Sequence, residues 1–191
     1  MIVQPLALPE VRLLSLDAHA DDRGHFMELW HADRYAEAGI DVSFVQDNLS
    51  VSARHVLRGL HFQHPQGQAK LITVLQGRVF DAVVDVRRGS PRFGQWASTE
   101  LSAEPPHQLF VPAGFAHGFV ALTDGVRFHY KCSRPYAPSN ERSLRWDDPQ
   151  LGIDWPVQAP TLSAKDAAAP TLNAVPASDL PVYDASQPHG A

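Results

Sequence analysis

The sequence predicts an all-β protein, a sandwich or a barrel, from three observations. From Ser43 onward the chain breaks into short runs rich in Val, Phe and Leu: FVQDNLSVS, VLRGLHFQ, AKLITVLQGRVFDAVVDVR, HQLFVPAGFAHGFVAL and VRFHYKC. Gly, Pro and polar residues separate these runs at modest spacing, which is how strands joined by turns read. No helical period of comparable strength interrupts them.

The chain has 191 residues and 44% hydrophobic content. That suffices for one domain with a substantial core and argues against a second full one. We therefore expect a single domain over residues 1–191, with the core at about 43–135, an irregular segment at 136–172 and a loosely ordered tail at 173–191. The tail is expected to be loose because it is rich in Pro, Ala, Ser and Asp. No internal repeat is evident.

Before the core, residues 1–16 mix Val, Leu and Ile with Pro5 and Pro9, which suits an edge strand, because proline cannot donate to a ladder. Asp21 to Gly24 reads as a turn, Phe26, Glu28 and Trp30 as a weak strand, and Asp33 to Ala38 as a brief helix closed by Gly39. Gln76-Gly77 and Arg88-Gly89 are turn positions. In RVFDAVVDVR, Phe80, Ala82, Val84 and Val86 share one wholly apolar face. The other face carries Asp81 and Asp85 into either solvent or a polar cavity, and the sequence leaves both placements open. After the core, Trp146 to Pro156 reads as an irregular stretch tacked down by tryptophans, and Ser163 to Ala169 as a short helix ended by Pro170.

Charge and cysteine content exclude several classes. A net charge of -5, with 16 basic and 21 acidic residues and no basic cluster, argues against nucleic acid or acidic membranes as partners. The single Cys132 cannot form an intrachain disulfide and reads as a small buried residue. No charged amino terminus precedes an apolar run, and no apolar run approaches the roughly 18 residues of a membrane span, so a cytoplasmic location is expected.

Chemistry concentrates in LRGLHFQHPQGQAK, from Leu57 to Lys70. Arg58 offers a planar fork for phosphate, His61 can take a proton near neutral pH, and Lys70 can meet an oxyanion. Those three groups suit an anionic substrate with a carbonyl, although a histidine between Leu60 and Phe62 equally fits a packed structural role. Arg58 and His61 have opposite parity in an ideal strand, so both face one cavity only if the strand bulges, and Gly59 is the natural place.

Several stretches in order, DDRGHFMELW, FVQDNLSVS, VLRGLHFQ, QAKL, VFDAVVDVRRGSPRFGQW, VPAGFAHGF, HYK and LSAKDAAAP, resemble the dTDP-4-dehydrorhamnose 3,5-epimerases of the cupin superfamily. The resemblance runs from about Asp21 to Pro170 and implies a cupin-type jelly-roll β-barrel with short peripheral helices and an irregular C-terminal segment. The general cupin metal motifs fall at His61, Gln63, Lys70 and Gly77, then Pro112, Gly114 and His117. An ammonium at Lys70 repels a divalent cation, so no metal and no cofactor is expected. His55 stands where many cupins place an opening glycine.

The activity this implies is inversion of C3 and C5 of a dTDP-4-keto-6-deoxy sugar by proton abstraction beside the ketone. By resemblance His61 is the base, Asp166 its supporting carboxylate, Tyr130 the acid on the opposite face and Lys70 the group at the 4-keto oxygen. Substrate contacts implied are Arg23, Phe26, Glu28, Gln46, Asp47, Asn48, Arg58, Lys70, His117, Tyr136, Glu141 and Lys165, with Phe26 or Tyr136 stacking on thymine. Amino-terminal residues of the family cross to a partner's site, which implies a homodimer. Three other functions compete: an epimerase acting at one carbon, a metal-dependent cupin sensitive to chelators, and a non-catalytic sugar-nucleotide binder.

Overall fold

A computed structural model describes residues 1–186. Two antiparallel sheets pack face to face. The six-stranded sheet runs β1 (Ile2–Pro5), β2 (Arg12–Ser15), β10 (His107–Val111), β7 (Lys70–Gln76), β12 (Val126–Cys132) and β5 (Gln46–Ser52). The five-stranded sheet runs β13 (Glu141–Ser143), β6 (Leu57–Gln63), β11 (Phe115–Ala121), β8 (Arg78–Asp85) and β9 (Trp96–Ser102). This is the all-β, jelly-roll type of arrangement expected, built as a sandwich; among the described residues no ladder joins the two sheets into one closed barrel. A separate hairpin pairs β3 (Ala18–Asp21) with β4 (Gly24–Met27) around the expected DDRG turn. The strand anticipated to continue through Glu28 and Trp30 stops at Met27.

The five-stranded sheet is covered on both faces, whereas the outer face of the six-stranded sheet is covered over β2, β10 and the start of β7 and left exposed at Leu75 of β7 and at Asp47, Leu49 and Val51 of β5. Ile72, Val74, Val79, Val83, Leu109 and Phe128 fill the space between the sheets. Outside the five-stranded sheet, Ala82, Val84, Val86 and Val120 pack under Leu151, Trp155, Leu172 and Leu180 of the C-terminal segment. Outside the six-stranded sheet, Leu14, Leu71 and Phe110 pack under Tyr35 and Ile40. Those last two belong to α1 (Ala32–Glu37) and its exit. Arg12 closes that helix by donating to the Gly39 carbonyl at 2.7 Å, and Gly39 takes the positive φ of +83° that ends the turn.

Asp81 and Asp85 both lie inside, each at 0% exposure, so the solvent alternative is excluded. Asp85 accepts from Arg87 Nε at 2.9 Å and from Ser90 Oγ at 2.6 Å, and the Arg87 guanidinium lies over the rings of Phe115 and Tyr183. Residues 173–186, expected to be loose, bury Val175 and Leu180 and return Val182 to bridge Arg88. Scattered apolar residues inside a polar composition anchor them; residues 187–191 of that expected tail lie outside the described residues. The irregular segment is pinned as expected, with Trp155 Nε1 donating to the Trp146 carbonyl at 2.8 Å and buried Asp148 accepting from Leu172 N at 2.7 Å.

The bulge at Gly59 is present. Arg58 pairs with Phe119 and His61 with His117, so three steps on β6 face two on β11. Gly59 has φ +114°, and a Cβ there would lie 2.6 Å from both Gly118 Cα and His117 O. His55, at the expected glycine position, indeed has φ 66°. A methyl group at residue 59 collides with backbone that cannot step aside. Gly59→Ala is therefore expected to cost about 3 kcal/mol or more and to lower the melting temperature by roughly 6–12 °C. Thermal denaturation checks this; a shift within about 2 °C contradicts the close approach.

Candidate active site

A cavity of about 420 Å³ opens between the two sheets. Strand periodicity decides what enters it. From β5 come Gln46, Asn48 and Ser50; from β12, Phe128, Tyr130 and Cys132. From β6 come Arg58 and His61 together, the pair that the bulge makes compatible, and β7 opens with Lys70. His117 and Phe119 enter from β11, and Ser163, Lys165 and Asp166 from α2 (Ala164–Ala167) with its cap. The mutually stacked rings of Phe119 and Phe128, 3.9 Å apart, join the two sheets beneath the polar groups.

His61 and Tyr130 stand on opposite sheets and line the same space. The His61 ring is joined to Asp166 by a contact of 2.5 Å from Nε2 to Oδ1. Burial works to raise the Asp166 carboxyl, but the His61 hydrogen bond, the His61 charge and the Ser163 hydroxyl outweigh it and hold the group below the ordinary carboxylate range. An ionised Asp166 can only accept, so in the uncharged form of the ring Nε2 carries the proton and Nδ1 holds the lone pair. Burial raises Tyr130, against a smaller pull from Arg58, so the phenol keeps its proton at neutral pH. Burial also pushes the Lys70 ammonium down, opposed by Cys132, Asp81 and Glu141. His117 is bonded to Asp81 at 2.9 Å, and burial pushes the imidazole down and the carboxyl up.

At the mouth, Tyr136 donates its hydroxyl to Glu141 at 2.6 Å, and Lys165 forms an ion pair with the same carboxylate. Arg58 Nε donates to Ser52 Oγ at 3.1 Å. Gln46 Nε2 donates to Asn48 Oδ1 at 2.9 Å, and Asn48 Nδ2 lies 3.6 Å from Cys132 Sγ.

Four expected contacts do not reach this cavity. Asp47 has the opposite parity to Gln46 and Asn48, so it faces outward and pairs with Lys131 at 2.8 Å. Arg23 sits in the hairpin turn against Asp21, and Glu28 pairs with Arg34 at 2.8 Å. Phe26 lies on the same hairpin with 70% of its surface exposed. Conversely, the cavity includes Ser50, Gln68, Phe119, Phe128, Cys132 and Ser163, which were not anticipated there. Parity alone points to four of them: Ser50 shares the face of Asn48, Phe128 and Cys132 that of Tyr130, and Phe119 that of His117. Cys132 is buried as expected, but its burial is within the cavity wall.

A metal does not suit these donors. The positions that carry ligands in metal-binding cupins hold His61, Gln63, Lys70 and His117, and an ammonium with an amide cannot replace two anionic or imidazole ligands. No group of three or more His, Cys, Asp or Glu converges among the described residues.

The double-sheet fold and a cavity flanked by a protonated phenol and a carboxylate-backed imidazole define an acid–base site of the cupin-type carbohydrate epimerase class. The family model described as dTDP-4-dehydrorhamnose 3,5-epimerase matches residues 5–174, and the chain belongs to that family. It is 54% identical to dTDP-4-dehydrorhamnose 3,5-epimerase of Pseudomonas aeruginosa, over 84% of this chain and 90% of that protein. It is similar to the crystal structure of a dTDP-6-deoxy-D-glucose-3,5-epimerase from Legionella pneumophila in complex with dTDP-4-keto-L-rhamnose, with TM-score 0.94, 47% identity and coverage of 96% and 99% of the two chains. A 3'-monoepimerase from Streptomyces bikiniensis in complex with dTDP-quinovose is also similar, with TM-score 0.84, 40% identity and coverage of 88% and 87%.

The depressed Asp166 carboxyl carries a linkage consequence. A carboxyl lowered in the folded state contributes stability that is present above its unfolded value of 3.8 and is lost as pH falls through the folded value. The melting temperature of the native chain should therefore exceed that of Asp166→Asn at pH 6. The gap should close as pH falls below the unfolded value. Paired melts across that range check this; a gap that stays constant with pH contradicts it.

Proposed function

We propose that this chain converts dTDP-4-dehydro-6-deoxy-D-glucose to dTDP-4-dehydro-L-rhamnose by inverting C3 and C5, without metal or cofactor. The observation that carries the reading is the placement of His61 and Tyr130 on opposing sheets around one cavity. A 4-keto group acidifies the C–H bonds on both neighbouring carbons. His61 Nδ1 takes the proton, and the C–H pair becomes the C=C bond of an enolate while the carbonyl pair moves to oxygen. The Lys70 ammonium meets that charge where water would otherwise be needed. The Tyr130 hydroxyl then gives its proton to the opposite face, the enolate pair forms the new C–H bond, and the ketone returns. Proton exchange with solvent resets imidazolium and phenolate.

In this reading Arg58 and Lys165 hold the diphosphate, Gln46 and Asn48 bond phosphate or sugar, His117 lies against the sugar and Tyr136 stacks on thymine. The exposed Phe26, with Arg23 on the same hairpin and Glu28 just beyond it, completes the site of a second copy, which makes the working unit a homodimer. A highly exposed phenylalanine on a hairpin that does not line its own cavity supports that assignment. The similar monoepimerase gives a second reading, inversion at one carbon only. We place the chain in the cytoplasm, because a diphosphate substrate does not cross a bilayer unaided.

Incubation in heavy water separates the readings. Deuterium is expected at both C3 and C5, with turnover unaffected by chelators; label at one carbon supports the monoepimerase. His61→Asn should lower exchange by about 10³-fold or more. Tyr130→Phe should retain deuterium wash-in at the abstracted position while losing inversion, since the base can return a deuteron to the face it left.

Mixing chains tests the shared site. Phe26→Ala should raise KM for the nucleotide sugar, and adding the inactive His61→Asn chain should restore low-KM turnover by supplying its own Phe26. No restoration on mixing, or a monomer in light scattering at assay concentration, contradicts the shared site.

A further inference from the structure

Four consecutive residues at the cavity mouth, Pro135, Tyr136, Ala137 and Pro138, carry only two backbone N–H groups, because proline has none. They lie between β12 and β13, outside any ladder, so those two donors need partners from elsewhere. Glutamine side chains supply both. Tyr136 N donates to Gln46 Oε1 at 2.8 Å, and Ala137 N donates to Gln63 Oε1 at 2.8 Å. Gln46 belongs to β5 of the six-stranded sheet and Gln63 to β6 of the five-stranded one, so the loop is fastened to both lips of the cavity.

Those two bonds hold the peptide groups on either side of the Tyr136 Cα. They therefore set the backbone dihedrals of that residue and the direction in which its side chain leaves. Little else fixes the ring: its hydroxyl reaches Glu141, but 50% of the residue's surface is open. Gln63, by contrast, is only 5% exposed, and its Nε2 donates to the Gln66 carbonyl at 3.4 Å. An amide buried where metal-binding cupins carry a ligand needs a partner of its own, and here that partner is Ala137.

We propose that Gln63 is a positioning residue for nucleotide recognition: through Ala137 it sets the Tyr136 ring in the orientation that stacks on the base. This rests on the reading above that Tyr136 stacks on thymine. A ring already oriented loses less freedom when the nucleotide arrives than one that must be ordered. The substrate displaces neither bond, because the Gln63 oxygen serves backbone alone, and Gln46 donates one amide proton to Asn48 and keeps the other for phosphate or sugar. Loss of Gln63 is therefore felt in affinity and not in the proton transfers at His61 and Tyr130.

Gln63→Met keeps the length of the side chain and removes the acceptor. Kd for dTDP measured by calorimetry should rise about fivefold or more, and KM should rise with it, while kcat at saturating substrate stays within about threefold of the native chain. Tyr136→Ala should weaken dTDP by about tenfold, and adding Gln63→Met to it should weaken binding no further, since the amide acts only through the ring. If Gln63→Met does not fold, Gln63→Asn, polar but too short to reach Ala137, carries the same test.

A Kd for dTDP within about twofold of the native chain in the folded variant, a loss falling mainly on kcat, or a double variant in which the two effects multiply overturns the proposal. Tyr136→Ala binding dTDP as the native chain does, or a native chain that does not bind dTDP, defeats the stacking reading instead.

Discussion

The structure of the site depends on one hydrogen bond, between His61 and Asp166, whose partners lie 105 residues apart in the chain. An imidazole alone is ambiguous, since either nitrogen can carry the proton. An ionised carboxylate on Nε2 removes the ambiguity and stabilises the ring when it becomes positive. That bond forms only if α2, too short to persist by itself, is docked against β6, and if β6 presents His61 inward. The first condition is met by the C-terminal segment, which wraps the outside of the five-stranded sheet and is fixed by Asp148, Trp155 and Leu172. The second is met by the bulge at Gly59.

The sandwich supplies the rest. The space between the sheets is divided, with Val79, Val83 and Leu109 filling one part and polar side chains lining the cavity. The cavity wall is asymmetric in chemistry. Tyr130 and Lys70 come from the six-stranded sheet, His61 and His117 from the five-stranded one. Burial acts against the charged forms of Tyr130 and Lys70, keeping the phenol protonated and making the ammonium easier to deprotonate, while its partners hold Asp166 ionised. A site tuned in this way favours transfer of protons over storage of charge.

Much of this was legible in the sequence, and particular residues show why. Alternation along FVQDNLSVS and VRFHYKC places Gln46, Asn48 and Tyr130 on inward faces, and the conflicting parity of Arg58 and His61 demanded an irregularity that Gly59 provides. The same alternation argues against Asp47, which the resemblance alone had put among the contacts. Asp166 could not be singled out from Asp81 or Asp85 by composition, because the choice depends on how a segment more than a hundred residues downstream folds back. For the tail, composition misled: buried Val175 and Leu180, with the bridge from Val182 to Arg88, dock a stretch otherwise rich in Pro, Ala, Ser and Asp. Arg23 and Phe26 of the hairpin, and Glu28 just beyond it, lie outside the cavity, and periodicity within one strand does not report which cavity a separate hairpin faces.

The most direct test of the central claim is a crystal structure of this protein with a dTDP-linked 6-deoxy sugar in the cavity. The account requires His61 Nδ1 and the Tyr130 hydroxyl to approach opposite faces of one sugar ring, with Lys70 at the C4 oxygen and Asp166 still on His61 Nε2. A sugar ring with both groups on the same face, or bound outside the space between the two sheets, would contradict it.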